Sequence, residues 1–178
     1  MHPVDTLLEE YRETAADAVR LIETQPAARL TSRPNPARWS AVECLQHLTL
    51  SNQQFAPRVE TALTQARLLP TSDGPYKMDF MARILLWTLE PPVRMRFPTS
   101  PAFIPRTPQQ PADVLQDYLG AHDRLAAMLE SGRGLELDKV KIVSPFAEKV
   151  TYNVWSTFVV AIAHERRHLW QAHNAVRL

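Results

Sequence analysis

The chain has 178 residues, of which 45% are hydrophobic and 22% charged, and a formal net charge of +1. This length and composition are typical of one globular domain, and we expect a single domain over residues 1–178. The balanced charge argues against a nucleic-acid or anionic-membrane partner, and no apolar run reaches the roughly 18 residues that cross a bilayer. No signal-peptide pattern opens the sequence, and its single cysteine, Cys44, excludes an intramolecular disulfide. We therefore expect a cytoplasmic protein.

Helix is expected to dominate, because there are only four glycines and no series of short alternating strands. Apolar residues recur at helical spacing over residues 3–24 and predict an amphipathic first helix, which Pro26 ends. The three prolines within residues 25–39 predict a loop.

The second helix has the clearest start signal in the sequence. Ser40 and Glu43 have the spacing of a capping box, in which each residue satisfies a free backbone N–H of the other. An apolar stripe follows to about Ala66 and includes His47, which is therefore predicted to face inward. Pro57 lies inside this pattern and predicts a kink or a break in the helix.

The middle of the chain is predicted to be irregular. An apolar run within residues 76–90 indicates a shorter helix. Prolines recur through residues 91–111 and forbid a regular helix there. That segment is too apolar for a disordered linker, so we expect it to pack across the helices; its large apolar residues are Met95, Phe97, Phe103 and Ile104.

Two more long helices are predicted in the second half. One covers residues 111–131 and is stopped by Gly132, and the last covers about residues 151–176. The first half of the last helix is apolar nearly all round, which predicts burial on several sides. Between the two helices the sequence is mixed, and it includes residues compatible with an extended segment: Val140, Ile142 and Val143.

The last helix carries a pair of histidines. His164 and His168 are four residues apart, so they share one helix face and lie about 6 Å apart along the axis, close enough to bind one metal ion. The segment also matches the H-E-x-x-H motif of zinc proteases, with Glu165 as the general base. Those enzymes commonly take a third ligand downstream, and the only candidate histidine, His173, is rotated off the shared face. We therefore disfavour a protease; Glu165 could instead pair with an arginine.

His47 is the predicted third ligand. It lies about seven residues after the start of its helix, and His168 lies about seven residues before the end of the last helix. If the two helices are antiparallel neighbours, both residues lie about 10 Å from the same end. Three histidines leave coordination positions open for water or substrate, unless Cys44 or His122 closes the site as a fourth ligand. A histidine pair without any metal also stays possible at this stage.

These residues carry a resemblance to a known family. The spacing Trp39-Ser40-x-x-Glu43-x-x-x-His47-Leu48, followed by Pro145-Phe146 and His164-x-x-x-His168-x-x-Gln171, resembles the DinB-like superfamily of metal-binding helical bundles. The resemblance spans most of the chain, from the second helix onward. It implies an all-α four-helix bundle of up-down-down-up topology, with a long Pro-rich crossover between the second and third bundle helices.

The resemblance also implies a function. It assigns His47, His164 and His168 as ligands of a divalent metal ion, for which we expect zinc or nickel ahead of iron or manganese. Some members are similar to thiol S-transferases, so we expect a small thiol and an electrophile as substrates and a homodimer as the assembly. Catalytic residues stay unassigned. The alternative is a non-catalytic metal-binding or stress-response protein that acts through a partner interface.

Overall fold

The computed structural model describes residues 2–92, 95 and 98–177, and most of them are helical, as predicted. The helices are α1 (Pro3–Thr24), α2 (Ala27–Thr31), α3 (Ala41–Ala66), α4 (Phe80–Leu89), α5 (Pro111–Ser131) and α6 (Val154–Arg177). One turn of 3-10 helix covers Pro101–Phe103, and strands β1 (Lys141–Val143) and β2 (Thr151–Asn153) form a two-stranded antiparallel sheet. None of the described helices is both long and apolar enough to cross a membrane.

Each of the four long helices packs against two of the others. Both α1 and α3 pack against α5 and α6. Along the α3–α6 contact, His47 meets His168 and Asn52 meets Glu165, so residue numbers rise on one helix as they fall on the other. The two helices are therefore antiparallel, as the sequence argument for His47 assumed.

The first half of α6 is buried on several sides, as its sequence predicts. It packs against α1, α3, α4 and both strands. A helix surrounded in this way can carry apolar residues on most of its faces, because little of its surface meets water. The fully buried residues of this half include Phe158, Val160, Ala161, Ile162 and Ala163.

The capping box at the start of α3 is confirmed. The Glu43 amide donates to Ser40 Oγ at 3.3 Å, and the Ser40 amide donates to Glu43 Oε2 at 2.9 Å. The Glu43 carboxylate also pairs with Arg33, which ties the preceding loop to the helix. Because these contacts fix where α3 begins, they also fix the depth at which His47, about two turns later, enters the core.

Of the two outcomes predicted at Pro57, a kink or a break, the break is wrong, since α3 runs without interruption over Ala41–Ala66. A proline removes the hydrogen bond that the carbonyl four residues earlier would accept, here the carbonyl of Gln53. Pro57 and Gln53 are both exposed. Solvent can therefore hydrate the freed carbonyl, and the helix continues.

Two local predictions also differ from the structure. The loop predicted over residues 25–39 contains α2, which is anchored by a buried Leu30. The last helix begins at Val154, because residues 151–153 pair with β1 as a strand. Asn153 then ends the strand and starts the helix: its Oδ1 accepts a 2.7 Å hydrogen bond from the amide of Ser156.

Of the large apolar residues of the Pro-rich segment that the structure describes, only Phe103 is buried against the helices. Phe103 is 4% exposed, whereas Met95 and Ile104 are 47% and 39% exposed. Phe97, which was also predicted to pack, lies outside the described residues. The carbonyl of Phe103 reaches His47 on α3, so this segment helps to build the site described next.

Candidate metal centre

The structure brings His47, His164 and His168 together. Each is at most 7% exposed, and one ring nitrogen from each lies within 4.8 Å of those of the other two. The ring centroids are 4.4 Å apart for His47 and His168, 5.1 Å for His47 and His164, and 4.5 Å for the pair on α6. These are the three residues that the sequence predicts as ligands, and their placement could hold one metal ion.

The orientation of His47 suits a metal ligand. Its Nδ1 lies 2.8 Å from the carbonyl oxygen of Phe103, which can only accept, so Nδ1 carries the proton and donates. This leaves a lone pair on Nε2, the nitrogen that faces the other histidines. A backbone carbonyl behind a histidine is a common way of fixing the tautomer and ring orientation of a metal ligand.

The nitrogen separation also fits. Nε2 of His47 and Nε2 of His164 are 3.2 Å apart. Two nitrogens that each lie about 2.1 Å from one metal ion, at tetrahedral or octahedral angles, are about 3.0 to 3.4 Å apart. The two imidazoles therefore converge on a common point at a distance that a shared metal ion would produce.

All three imidazoles are held in the neutral form that binds metals. Burial is the main cause that lowers the pKa of each histidine. The pKa values of His164 and His168 are well below the usual range, and the nearby His47 imidazole and Arg167 guanidinium add to the effect of burial on both. Three uncharged nitrogen donors in one buried place are a suitable donor set for a divalent transition metal.

A cavity of about 1130 Å³ reaches the three histidines. Aromatic rings line it close to the site: the Trp39 ring is 4.9 Å from that of His47, and the Phe146 ring is 5.0 Å from that of His164. Among the described residues, no fourth histidine, cysteine or carboxylate joins the cluster. The arrangement resembles an open site, in which a metal ion keeps positions for exogenous ligands, more than a closed structural one.

A family comparison agrees with this arrangement. The family model described as the DinB superfamily matches residues 10–172, nearly the whole chain. The chain belongs to the DinB superfamily. No match was found among curated proteins or among solved structures.

The two residues considered as a fourth ligand do not join the cluster in this DinB superfamily protein. Cys44 is buried in the cavity wall, and burial raises the pKa of its thiol far above the usual range. A neutral thiol is neither a nucleophile nor a metal ligand. His122 is buried on α5 and faces Glu165 instead, with its Nδ1 2.7 Å from Glu165 Oε2.

Glu165 belongs to a second buried polar cluster, next to the histidines but on another face of α6. Its carboxylate is fully buried. Oε1 accepts a 2.6 Å hydrogen bond from Asn52, and Oε2 accepts from Tyr118 at 2.8 Å and lies beside His122. None of these residues lines the cavity. The expected arginine partner is therefore wrong, and the carboxylate is not placed to act as a base in the cavity.

The two clusters shift the pKa values of their histidines in opposite directions. Burial opposes the charged form of His122, but the Glu165 carboxylate and its hydrogen bond outweigh burial and raise the pKa of His122. The remaining candidate of the protease hypothesis, His173, pairs with Asp17 at 3.0 Å. The geometry thus contradicts both parts of the protease assignment, the base and the downstream ligand.

Sequence reasoning missed the Glu165 cluster in this member of the DinB superfamily, although part of the signal was present. His122 lies on the inward stripe of its helix, and Glu165 lies about 100° from His164 on a helix that is buried on several sides. A carboxylate in such a helix needs a buried partner. The carbonyl of Phe103 had no sequence signal, because a main-chain acceptor is present at every residue.

We predict that Glu165→Ala destabilises the protein by about 3–5 kcal/mol, because it leaves the polar groups of Asn52, Tyr118 and His122 buried without the carboxylate that they contact. The free energy of unfolding is measured by urea denaturation. The matched control Glu23→Ala removes an exposed carboxylate from α1 and is expected to change stability by less than about 0.5 kcal/mol. Equal, small effects in both variants would show that the buried pair does not form.

A second prediction concerns pH. In metal-free protein the lowered pKa values of His47, His164 and His168 mean that the unfolded chain binds protons more readily. Their contribution to stability is therefore present above the unfolded pKa of about 6.5 and is lost as pH falls below it.

The raised pKa of His122 acts in the opposite direction: its contribution is present below about 6.5 and is lost as pH rises through its folded pKa. Comparing wild type with the triple variant H47N/H164N/H168N isolates the first contribution. We expect the free energy of unfolding to fall more steeply in wild type between about pH 7.5 and 5.5. Parallel curves for the two proteins would refute the predicted burial of neutral imidazoles.

Proposed function

We propose that this protein is a metal-dependent enzyme that transfers a low-molecular-weight thiol to an electrophile, with His47, His164 and His168 as ligands of one divalent ion. The observation that carries the proposal is the convergence of three buried, neutral imidazoles on one point that a large cavity reaches. A metal ion bound there would act as a Lewis acid that favours the thiolate form of a bound thiol at neutral pH.

The residues of this chain would orient and shield such a reaction. The Phe103 carbonyl holds the His47 ring in place, and the rings of Trp39 and Phe146 cover the adjacent walls of the cavity. Apolar walls exclude water, which strengthens the electrostatic interactions of bound groups. The donor set of three imidazoles favours zinc or nickel over manganese, which prefers oxygen ligands.

The proposed architecture is the four-helix bundle of up-down-down-up topology, formed by α1, α3, α5 and α6. Its support is the set of contacts in which α1 and α3 each pack against α5 and α6, together with the antiparallel α3–α6 pair. In this topology α3 and α5 run parallel, which requires the long connection over residues 67–110.

We also propose that the protein is a homodimer that uses the outer face of α4. Phe80, Ile84 and Trp87 follow one face of this helix and are 76%, 41% and 58% exposed, and Met81 beside them is 42% exposed. A contiguous apolar patch of this kind on a helix is unusual on a monomer.

The alternative is a non-catalytic metal-binding protein that acts through a partner. It requires a metal site that is closed by a fourth ligand or sealed by side chains. The described residues offer no fourth ligand in the cluster, and the cavity reaches all three histidines, so the observations favour an open site.

The metal site has a direct test. We expect purified protein to contain about one zinc or nickel ion per chain by elemental analysis, and H47A, H164A and H168A to lose at least tenfold in affinity because each removes one of three ligands. The matched control H173A removes a histidine of α6 that pairs with Asp17 and should retain the metal. Full metal retention in all three ligand variants would disprove the site.

The reaction is tested with a panel of small thiols, including glutathione, bacillithiol and mycothiol, against an activated aryl chloride. We expect thiol-dependent loss of the electrophile with metal-loaded wild type and with H173A, and a rate near background with H47A or after chelation. Inactivity of the metal-loaded protein over the whole panel, or activity without any thiol, would reject thiol transfer while leaving the metal site intact.

The dimer is tested by light scattering after size-exclusion chromatography. F80E/I84E places two charges on the apolar face of α4 and should convert a dimer into a monomer. The control L68E places a charge at a residue that is 84% exposed beyond the end of α3 and should leave the assembly unchanged. A monomeric wild type at all concentrations would contradict the proposal.

A further inference from the structure

The charged side chains that line the cavity above the histidines, among the described residues, are all positive. Its wall contains three arginines, Arg38, Arg167 and Arg177, and among the described lining residues there is no aspartate or glutamate. The chain as a whole has 20 basic and 19 acidic residues, so this excess of positive charge is local. The three histidines carry no negative charge in either protonation state, so they cannot offset it, and a divalent ion bound to them would increase it.

Arg167 is the buried member of this set. It is 5% exposed, and its guanidinium donates to the carbonyl oxygens of Thr88 at 2.9 Å and Met95 at 2.6 Å. These two contacts fix the guanidinium in the cavity wall, one residue before His168. Burial lowers its pKa, but an arginine stays charged at neutral pH. A fixed cation with little contact with water attracts an anion more strongly than a solvated one does.

Arg38 stands at the exposed edge of the cavity, next to Trp39. It forms no ion pair with any described residue. Nearby arginines outside the cavity behave differently: Arg33 pairs with Glu43, and Arg166 pairs with Glu10 and Glu90. The arginine at the edge is thus available to a ligand, while its neighbours are already used to join parts of the protein.

We propose that the ligand of this cavity carries an anionic group, a carboxylate in the simplest case, which Arg167 and Arg38 bind while the rest of the ligand extends toward the three histidines. The planar guanidinium matches a carboxylate with two parallel hydrogen bonds, which gives orientation as well as affinity. Only the identity of the ligand as a thiol rests on the proposed function. The preference for an anionic group is argued from the arginines and does not depend on that function. It makes the favoured thiol an acidic one.

The test uses two matched pairs of probes, titrated by calorimetry at pH 7. The first pair is 3-mercaptopropionate and 3-mercaptopropanol, which are thiols with and without a carboxylate. The second is 3-phenylpropionate and 3-phenylpropanol, which lack a thiol. We expect the anion of each pair to bind about tenfold more tightly to wild type. The second pair is repeated on metal-free protein, because a carboxylate could also bind the metal directly.

The variants R38Q and R167Q should each reduce this preference several-fold. The control R29Q removes an exposed arginine of α2 that does not line the cavity, so it changes the net charge equally and should leave the preference unchanged. If R167Q fails to fold, R38Q and R167K still decide the question, since lysine keeps the charge but loses the paired hydrogen bonds.

The outcomes separate the two proposals. An anion preference in both pairs without measurable binding of the uncharged thiol would support the anion site and reject thiol transfer. Binding of both thiols with equal affinity would support a thiol site and overturn the anion proposal. A preference that survives both R38Q and R167Q, or that R29Q removes equally, would also overturn it, because the arginines of the cavity would not be its cause.

Discussion

The antiparallel contact between α3 and α6 is the constraint on which the rest of the site depends. It brings His47 against the His164–His168 face of α6, and five residues further along α3 it brings Asn52 against Glu165. One helix pair therefore supports both buried polar clusters. A shift of one turn along this contact, about 5.4 Å, would separate the histidines and break the carboxylate network together. The capping box matters to both clusters because it fixes where α3 begins.

Each cluster meets the cost of burying polar groups in a different way. Around Glu165 the cost is offset within the protein, because Asn52, Tyr118 and His122 supply hydrogen-bond partners for the carboxylate. Around the histidines the protein supplies less: Nδ1 of His168 is buried without a hydrogen bond of normal geometry, although the Gln171 side chain lies near enough to favour its protonation. The Glu165 cluster therefore finds its hydrogen-bond partners within the protein, whereas the histidine cluster would be stabilised more by a bound ion.

The sequence predicted the helices and the three histidines because both have periodic signals. Apolar residues recur at 3.6-residue spacing, and His164 and His168 are one turn apart on a helix that the pattern had already identified. The helix continues through Pro57 because that side of α3 is exposed to solvent, and residues 151–153 form a strand because they pair with β1. Both causes depend on the folded structure and not on the local sequence pattern. For the same reason the partners of Glu165, 43 to 113 residues away along the chain, could not be assigned.

The contrast between His122 and His164 explains why residue type alone does not define a metal ligand. Both are buried inward-facing histidines, but a carboxylate beside His122 raises its pKa, whereas burial, helped by the His47 imidazole and Arg167, lowers that of His164. A protonated imidazole has no lone pair for a metal, so a neighbouring carboxylate, which favours the protonated form, works against metal binding at His122. The same carboxylate, if it lined the cavity, would neutralise the arginines there. Its enclosure on another face of α6 therefore preserves both the neutral histidines and the positive cavity above them.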